Sequence, residues 1–170
     1  RRDSGSRGGF MWTKNGEDML LSVDELIQSY CTSVGRNANM LLGMVIDTAG
    51  LCPEPDVKRL REFGAKIREV FSNPLAQTGG KGDSFTLDLK RPQMVNYVVI
   101  KEDLAGGERV RRYEVEVWGD GSWKKVCDGI SVGHERIQQF EAVRTSKLRL
   151  TIKESEGAPA IKSFSAFRLE

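Results

Sequence analysis

The spacing of apolar residues changes once along this chain, near residue 75, and that change constrains the fold more than any other feature. Before it, Val23, Leu26, Ile27, Tyr30 and Val34 fall at i, i+3, i+4, i+7 and i+11. Val57, Leu60, Phe63, Ile67 and Val70 keep a helical spacing until Asn73-Pro74. Those intervals place apolar side chains on one face of an α-helix. After it, Tyr113, Val115 and Val117 alternate with Glu114, Glu116 and Trp118, as Leu148, Leu150 and Ile152 do with Arg149, Thr151 and Lys153. Period two puts every second side chain on one face of a strand. The chain is therefore expected to fold as an α/β part followed by an all-β part.

In the first part, Ser22 with Glu25 three residues on reads as a capping box opening a helix. Gly35 stands where a left-handed C-terminal cap is expected. Residues 38–46 (ANMLLGMVI) are nearly continuous in apolar side chains, as in a strand buried on both faces of a parallel sheet. Asp47-Thr48-Ala49-Gly50 marks a turn, and a second helix opens around Pro53 to Asp56. Helix, strand, helix cannot close a core alone, because a buried parallel strand needs strand neighbours. The expectation is the tail of a larger α/β domain. Residues 1–9 (RRDSGSRGG) have no apolar stretch, so they read as a loop entered from elsewhere rather than a signal or transit peptide.

The second part opens with a Gly-rich stretch, 74–83, read as a linker. Seven short runs follow, at 85–89, 95–100, 112–118, 123–126, 137–140, 148–152 and 161–167, with Gly119-Asp120-Gly121 as a hairpin loop between two tryptophans. That is the pattern of an antiparallel β-sandwich. The expected organisation is 1–73 as α/β, 74–83 as linker and 84–170 as sandwich.

Composition removes several function classes. The 170 residues carry 26 basic and 24 acidic side chains, a net +2. That balance does not suggest binding to nucleic-acid phosphates. No run approaches the roughly 20 apolar residues of a membrane span. Three scattered cysteines and the single His134 argue against a disulfide framework, a zinc site or a Ser-His-Asp triad. No metal or cofactor is expected.

Residues 33–42 (SVGRNANMLL), 47–51 (DTAGL) and 53–64 (PEPDVKRLREFG), with Gly9-Phe10-Met11-Trp12 and the Ser22 helix start, resemble the end of the catalytic barrel of α-L-fucosidases of glycoside hydrolase family 29. Residues 100–103 (IKED), 107–110 (GERV), 129–137 (GISVGHERI) and 148–150 (LRL) resemble the C-terminal β-sandwich of plant-type and bacterial members, a fold related to discoidin and galactose-binding modules. The resemblance implies the last helix-strand-helix of a (β/α) barrel, then the sandwich. It implies a retaining enzyme with an Asp nucleophile and a Glu acid/base, two carboxylates about 5 Å apart. The acid/base position falls at or just before Arg1, and the nucleophile further upstream, so no catalytic residue is expected within this chain and the isolated chain is expected to be inactive. The implied partners are a fucosylated glycan and the upstream remainder of the barrel, with no nucleic acid and no membrane. By resemblance, localisation is secreted, periplasmic or lysosomal.

The resemblance also places Phe10 and Trp12, with Arg7, in a loop over the sugar pocket, where aromatics suit the C–H face and C5 methyl of fucose. Ordinary packing at a barrel rim explains the two aromatics equally well, and Arg7 reads readily as an exposed loop arginine. Asp47 stands where barrel sites are built, yet it also reads as a turn starter bonding its own backbone. Glu17 and Asp18 suit a helix N-terminus, His134 a hydrogen-bonded loop, and Arg109, Arg111 and Arg112 a solvated sheet face. Trp118 and Trp123 could stack on a sugar, with one of them expected in the core. The alternative to a fucosidase segment is a noncatalytic carbohydrate-binding or structural module.

Overall fold

Ser22 opens the first helix as its spacing predicts. Its hydroxyl accepts from the Glu25 amide at 3.2 Å, while the Glu25 carboxylate accepts from the Ser22 amide at 2.7 Å. Two amides without helical partners are thereby satisfied. The computed structural model, which describes residues 11–14 and 16–169, has α1 over Val23–Ser33. Pro55 stands in the first turn of α2, Glu54–Phe71, where a missing N–H costs nothing. The helices meet through Leu26, Ile27 and Phe63, with the Tyr30 ring edge-on to Phe63 at 6.4 Å.

Two expectations for this half are corrected. Gly35 does not adopt a left-handed conformation; Asn37 does, at φ 66°. Gly35 is needed for space instead, since a Cβ there would lie 2.4 Å from the Cys31 carbonyl oxygen and 2.6 Å from Ile137 Cβ. The expected strand at 38–46 is irregular chain. A strand exists only where neighbours take up its N–H and C=O groups, and among the described residues 38–46 has no ladder partner; the nearest bridge is from Arg36 to Arg136. Val45 alone of the run is fully buried, while Leu41 is 95% exposed.

The six strands of the second half are β1 (Ala76–Lys81), β2 (Ser84–Glu102), β3 (Val110–Gly119), β4 (Ser122–Gly129), β5 (Arg136–Ser155) and β6 (Ala160–Phe167), in spatial order β1-β6-β2-β5-β3-β4. All pairings are antiparallel. Four of the predicted runs merge into two long strands. β2 and β5 pair from Ser84↔Thr151 to Asp88↔Lys147, lose register, and resume from Gln93↔Thr145 to Ile100↔Arg136. The break, with Lys90 at φ 65°, lets both strands pass from one layer into the other. The first layer holds the early part of β2, the late part of β5, and β3 and β4. The second holds the late part of β2, the early part of β5, and β6 and β1. Phe85, Leu87, Val115 and Leu150 from the first layer share one core with Val98, Ile100, Phe164 and Ala166 from the second, so the folded-over sheet is a sandwich.

The segment read as a linker is corrected too. Residues 76–81 pair with β6 from Ala76↔Ala166 to Lys81↔Ala160. Its glycines suggested flexibility, but Gly79 serves close approach, because a Cβ there would lie 2.7 Å from the Lys162 carbonyl oxygen. The hairpin loop is as expected, with Asp120 and Gly121 at φ 51° and 76° between Gly119 and Ser122, which pair. Tyr97, Val99, Ile137 and Phe167 turn outward from the second layer to meet Tyr30, Cys31 and Phe71. The helices therefore pack on the outside of that layer, and Phe71 meets Phe167 edge-on at 5.7 Å.

Candidate functional site

Of the three residues expected to touch sugar, Arg7 and Phe10 lie outside the described residues. Trp12 is half-buried ahead of a short 3-10 helix, Gly16–Met19, whose first turn carries the exposed Glu17 and Asp18. Arg59 of α2 donates to the Leu21 carbonyl, which fixes the approach to α1. Asp47 Oδ1 accepts from the amides of Ala49 at 2.8 Å and Leu51 at 3.0 Å, so its carboxylate serves the turn.

Among the described residues, four of the eight exposed large apolar side chains, Leu41, Met44, Ile46 and Leu51, fall within residues 38–51. Leu41, Ile46 and Leu51 are exposed by 95%, 63% and 65%. Beside them a groove of about 220 Å³ runs between the helices, lined by Leu20, Leu21, Leu26, Leu41, Leu42 and Leu60. Exposed apolar side chains gathered on one segment suit an interaction face.

The helices are held on the sandwich by polar contacts as well as apolar ones. The Ile137 amide donates to the Gly35 carbonyl at 2.9 Å. Asn37 Oδ1 accepts from the His134 amide at 2.8 Å, and its Nδ2 donates to Glu108 at 2.7 Å. The His134 backbone thus serves loop structure. Glu135, nearly buried, pairs with Lys101 at 2.6 Å and accepts from the Tyr30 hydroxyl at 3.4 Å. Burial, reinforced by the Glu135 charge, pushes the Tyr30 phenol up to about 12 and the Cys31 thiol up to about 11. Burial, followed by Asp128, raises the Cys127 thiol to about 12. Both thiols stay protonated near neutral pH, which makes them poor nucleophiles.

Glu102 was not singled out from the sequence, yet it organises the loop end of the sandwich. It is buried, and one carboxylate oxygen accepts from the amides of Arg109 and Val110 while the other accepts from Gly133. No periodicity announces it; the only hint is an acid two positions after the apolar run Tyr97-Val98-Val99-Ile100. The neighbouring arginines are structural. Arg109 donates to the Gly106 and Ala158 carbonyls, Arg111 to the Glu108 and Val110 carbonyls, and Arg112 pairs with Glu154.

The two tryptophans both lie on the outer face of β3 and β4, so the expectation of one in the core is corrected. Their rings meet edge-on at 5.3 Å. Arg149 lies over Trp123 at 4.4 Å while pairing with Glu116 at 2.8 Å. The period-two alternation had already placed Trp118 beside outward-facing Glu114 and Glu116.

Comparison with known proteins fits this geometry. The family model of the F5/8 type C domain matches residues 72–164, starting ahead of β1. An alpha-L-fucosidase 1 of Arabidopsis thaliana is 26% identical over 94% of this chain and 38% of its own length. The chain thus spans well under half the length of that curated relative. A crystal structure of a candidate alpha-L-fucosidase of Bacteroides thetaiotaomicron superposes with a TM-score of 0.94 at 41% identity, covering 99% of this chain and 39% of that one. A glycoside hydrolase 29 family member from an unknown rumen bacterium gives a TM-score of 0.85 at 30% identity, over 95% of this chain and 32% of its own. The last two likenesses take in the helices as well as the sandwich. The chain belongs to the F5/8 type C domain family, and with its helical segment it corresponds to the C-terminal part of family 29 α-L-fucosidases.

Proposed function

We propose that this chain is the C-terminal segment of a retaining α-L-fucosidase that removes terminal α-L-fucosyl groups from glycans. The observation that carries this reading is the continuous match, through helices and sandwich together, to one stretch of fucosidase relatives. The nucleophilic Asp and the acid/base Glu lie in upstream polypeptide. A retaining mechanism needs both, one attacking the anomeric carbon and one protonating the leaving oxygen. In this reading Phe10, Trp12 and Arg7 belong to the loop that closes over the sugar, with residues 1–73 completing the barrel and the strands from Ala76 to Phe167 forming the sandwich. The exposed Leu41, Ile46 and Leu51 support it, as a surface that upstream barrel strands and helices would cover. The sandwich then acts as a buttress, clamped to the last barrel helices through Gly35, Asn37 and Glu135.

The test is hydrolysis of an aryl α-L-fucoside by the 170-residue chain and by the longer polypeptide that includes the upstream barrel. Turnover is expected only from the longer polypeptide, with the fucose released in its original anomeric configuration. Turnover by the purified 170-residue chain would refute the placement of both carboxylates. A longer polypeptide that is folded but inert on every α-L-fucoside would favour the noncatalytic module instead.

A further inference from the structure

Where β2 crosses between layers, the end of the sandwich opens into a groove of about 480 Å³. Arg91 lines it from the crossing, Arg144 from β5, and Arg168 from the chain just after β6. Leu75, Pro92 and Met94 supply apolar surface beside them. We propose that this groove binds a sulfate or carboxylate group carried on a sugar.

Three guanidinium groups share one concave surface, and among the described residues no acidic side chain lines it. Four arginines elsewhere in this nearly neutral chain stand against an acid: Arg59 with Glu62, Arg61 with Glu54, Arg112 with Glu154 and Arg149 with Glu116. Arg91 and Arg144 make no ion pair or hydrogen bond with a described residue, so their donors are available. Like charges gathered in a cleft focus a positive potential and concentrate anions there. The planar guanidinium fork matches the spacing of two oxygens on a sulfate or carboxylate.

The apolar side chains decide what carries the anion. A bare ion gains nothing from Leu75, Pro92 or Met94, whereas a sugar ring can lay its C–H face on them while its charged substituent reaches the arginines. A volume of about 480 Å³ falls in the range of small-ligand sites, about 300–1,000 Å³. The walls are anchored, because Arg144 is in register with Met94 and the Leu75 amide donates to the Ala166 carbonyl at 2.8 Å. The choice of a sugar as carrier rests on the fucosidase reading; the preference for an anion does not.

The 170-residue chain is titrated at low salt with N-acetylglucosamine 6-sulfate, 3′-sialyllactose, lactose and sodium sulfate, following amide chemical shifts. At least one anionic sugar is expected to bind, shifting the amides of Arg91, Gln93, Met94 and Arg144, at least about tenfold more tightly than lactose or sodium sulfate. Arg91→Ala with Arg144→Ala should weaken that binding by about tenfold or more, while Arg61→Ala on α2 leaves it unchanged. Retention of the folded amide pattern in the double variant separates lost binding from lost fold, and Arg91→Lys with Arg144→Lys should recover part of the affinity. Three results overturn the proposal: lactose binding as tightly as the charged sugars, a folded double variant with wild-type affinity, or sodium sulfate matching the sulfated sugar, which means an adventitious ion only. Fucoside hydrolysis does not enter this readout, so failure of the groove and failure of the fucosidase reading are told apart.

Discussion

Glu102 offers the most exacting test of how the loop end of the sandwich is held. Its side chain is only 3% exposed. One oxygen accepts from the Arg109 amide at 2.5 Å and the Val110 amide at 3.1 Å; the other accepts from Gly133 at 3.3 Å. Glu102→Ala leaves three amides without that acceptor. A hydrogen bond to a charged group contributes about 1.5–3 kcal/mol. Two of these share one oxygen and the third is long, so the three together amount to less than three full bonds. The expected loss is about 3–4 kcal/mol, which lowers Tm by roughly 6–16 °C in a chain of this size. Glu102→Gln keeps one oxygen for Arg109 and Val110 but turns an NH₂ group towards the Gly133 donor. It should cost about 1–2 kcal/mol. Urea unfolding measures both, and the midpoint should fall in the order wild type, Gln, Ala with the slope m unchanged. An Ala variant within about 0.5 kcal/mol of wild type, or a Gln variant less stable than Ala, would falsify the clamp.

Gly35→Ala should destabilise the chain by about 2–3 kcal/mol, because its Cβ meets the Cys31 carbonyl and Ile137 at 2.4 and 2.6 Å; hydrogen exchange should then quicken in α1 before the sandwich. Tyr30 ionises near 10 when unfolded and at about 12 when folded. The unfolded chain therefore releases a proton that the folded chain keeps, and stability falls as pH rises through that window. Urea midpoints between pH 9 and 12 should fall less steeply in Tyr30→Phe than in wild type; equal slopes would remove Tyr30 as a cause. A chain beginning at Ser72 should give a dispersed amide spectrum, whereas one beginning at Ser84 lacks β1, leaves β6 an open edge and should aggregate; equal behaviour of the two would mean that β1 is dispensable.

Elements whose determinants are local were legible in the sequence. The capping box, both amphipathic helices and the Asp120-Gly121 hairpin each depend on residues within a few positions of one another, and all stand where the spacing put them. The misreadings concern residues whose role is set from far along the chain. Residues 38–46 have the composition of a buried strand, but ladder partners decide whether a strand forms. The glycines of 74–83 look like a linker until β6 lies across them. Two pairs of short runs were read as four strands, whereas residues around Lys90 carry β2, and residues 141–147 carry β5, on from one layer into the other. Glu102 and Glu135 carry no pattern at all, since their partners lie up to 105 positions away. The candidate sugar contacts were legible only through family resemblance, for nothing in the spacing of Arg7, Phe10 and Trp12 singles them out.

The order β1-β6-β2 has a consequence for biosynthesis. The last of these six strands in chain order is not at the rim of its layer; it fills the slot between β1 and β2. A ribosome that has made everything up to Gly157 has produced a layer with a gap in it. β1 has nothing to pair with, and the hydrophobic side of β2 lacks Ile161, Phe164 and Ala166. Closure must wait until Ala160–Phe167 leaves the exit tunnel, and the pairing it completes joins residues far apart in the chain, which makes it slow. A polypeptide that stops just before Ala160 lacks the strand that joins β1 to β2 and cannot close this layer.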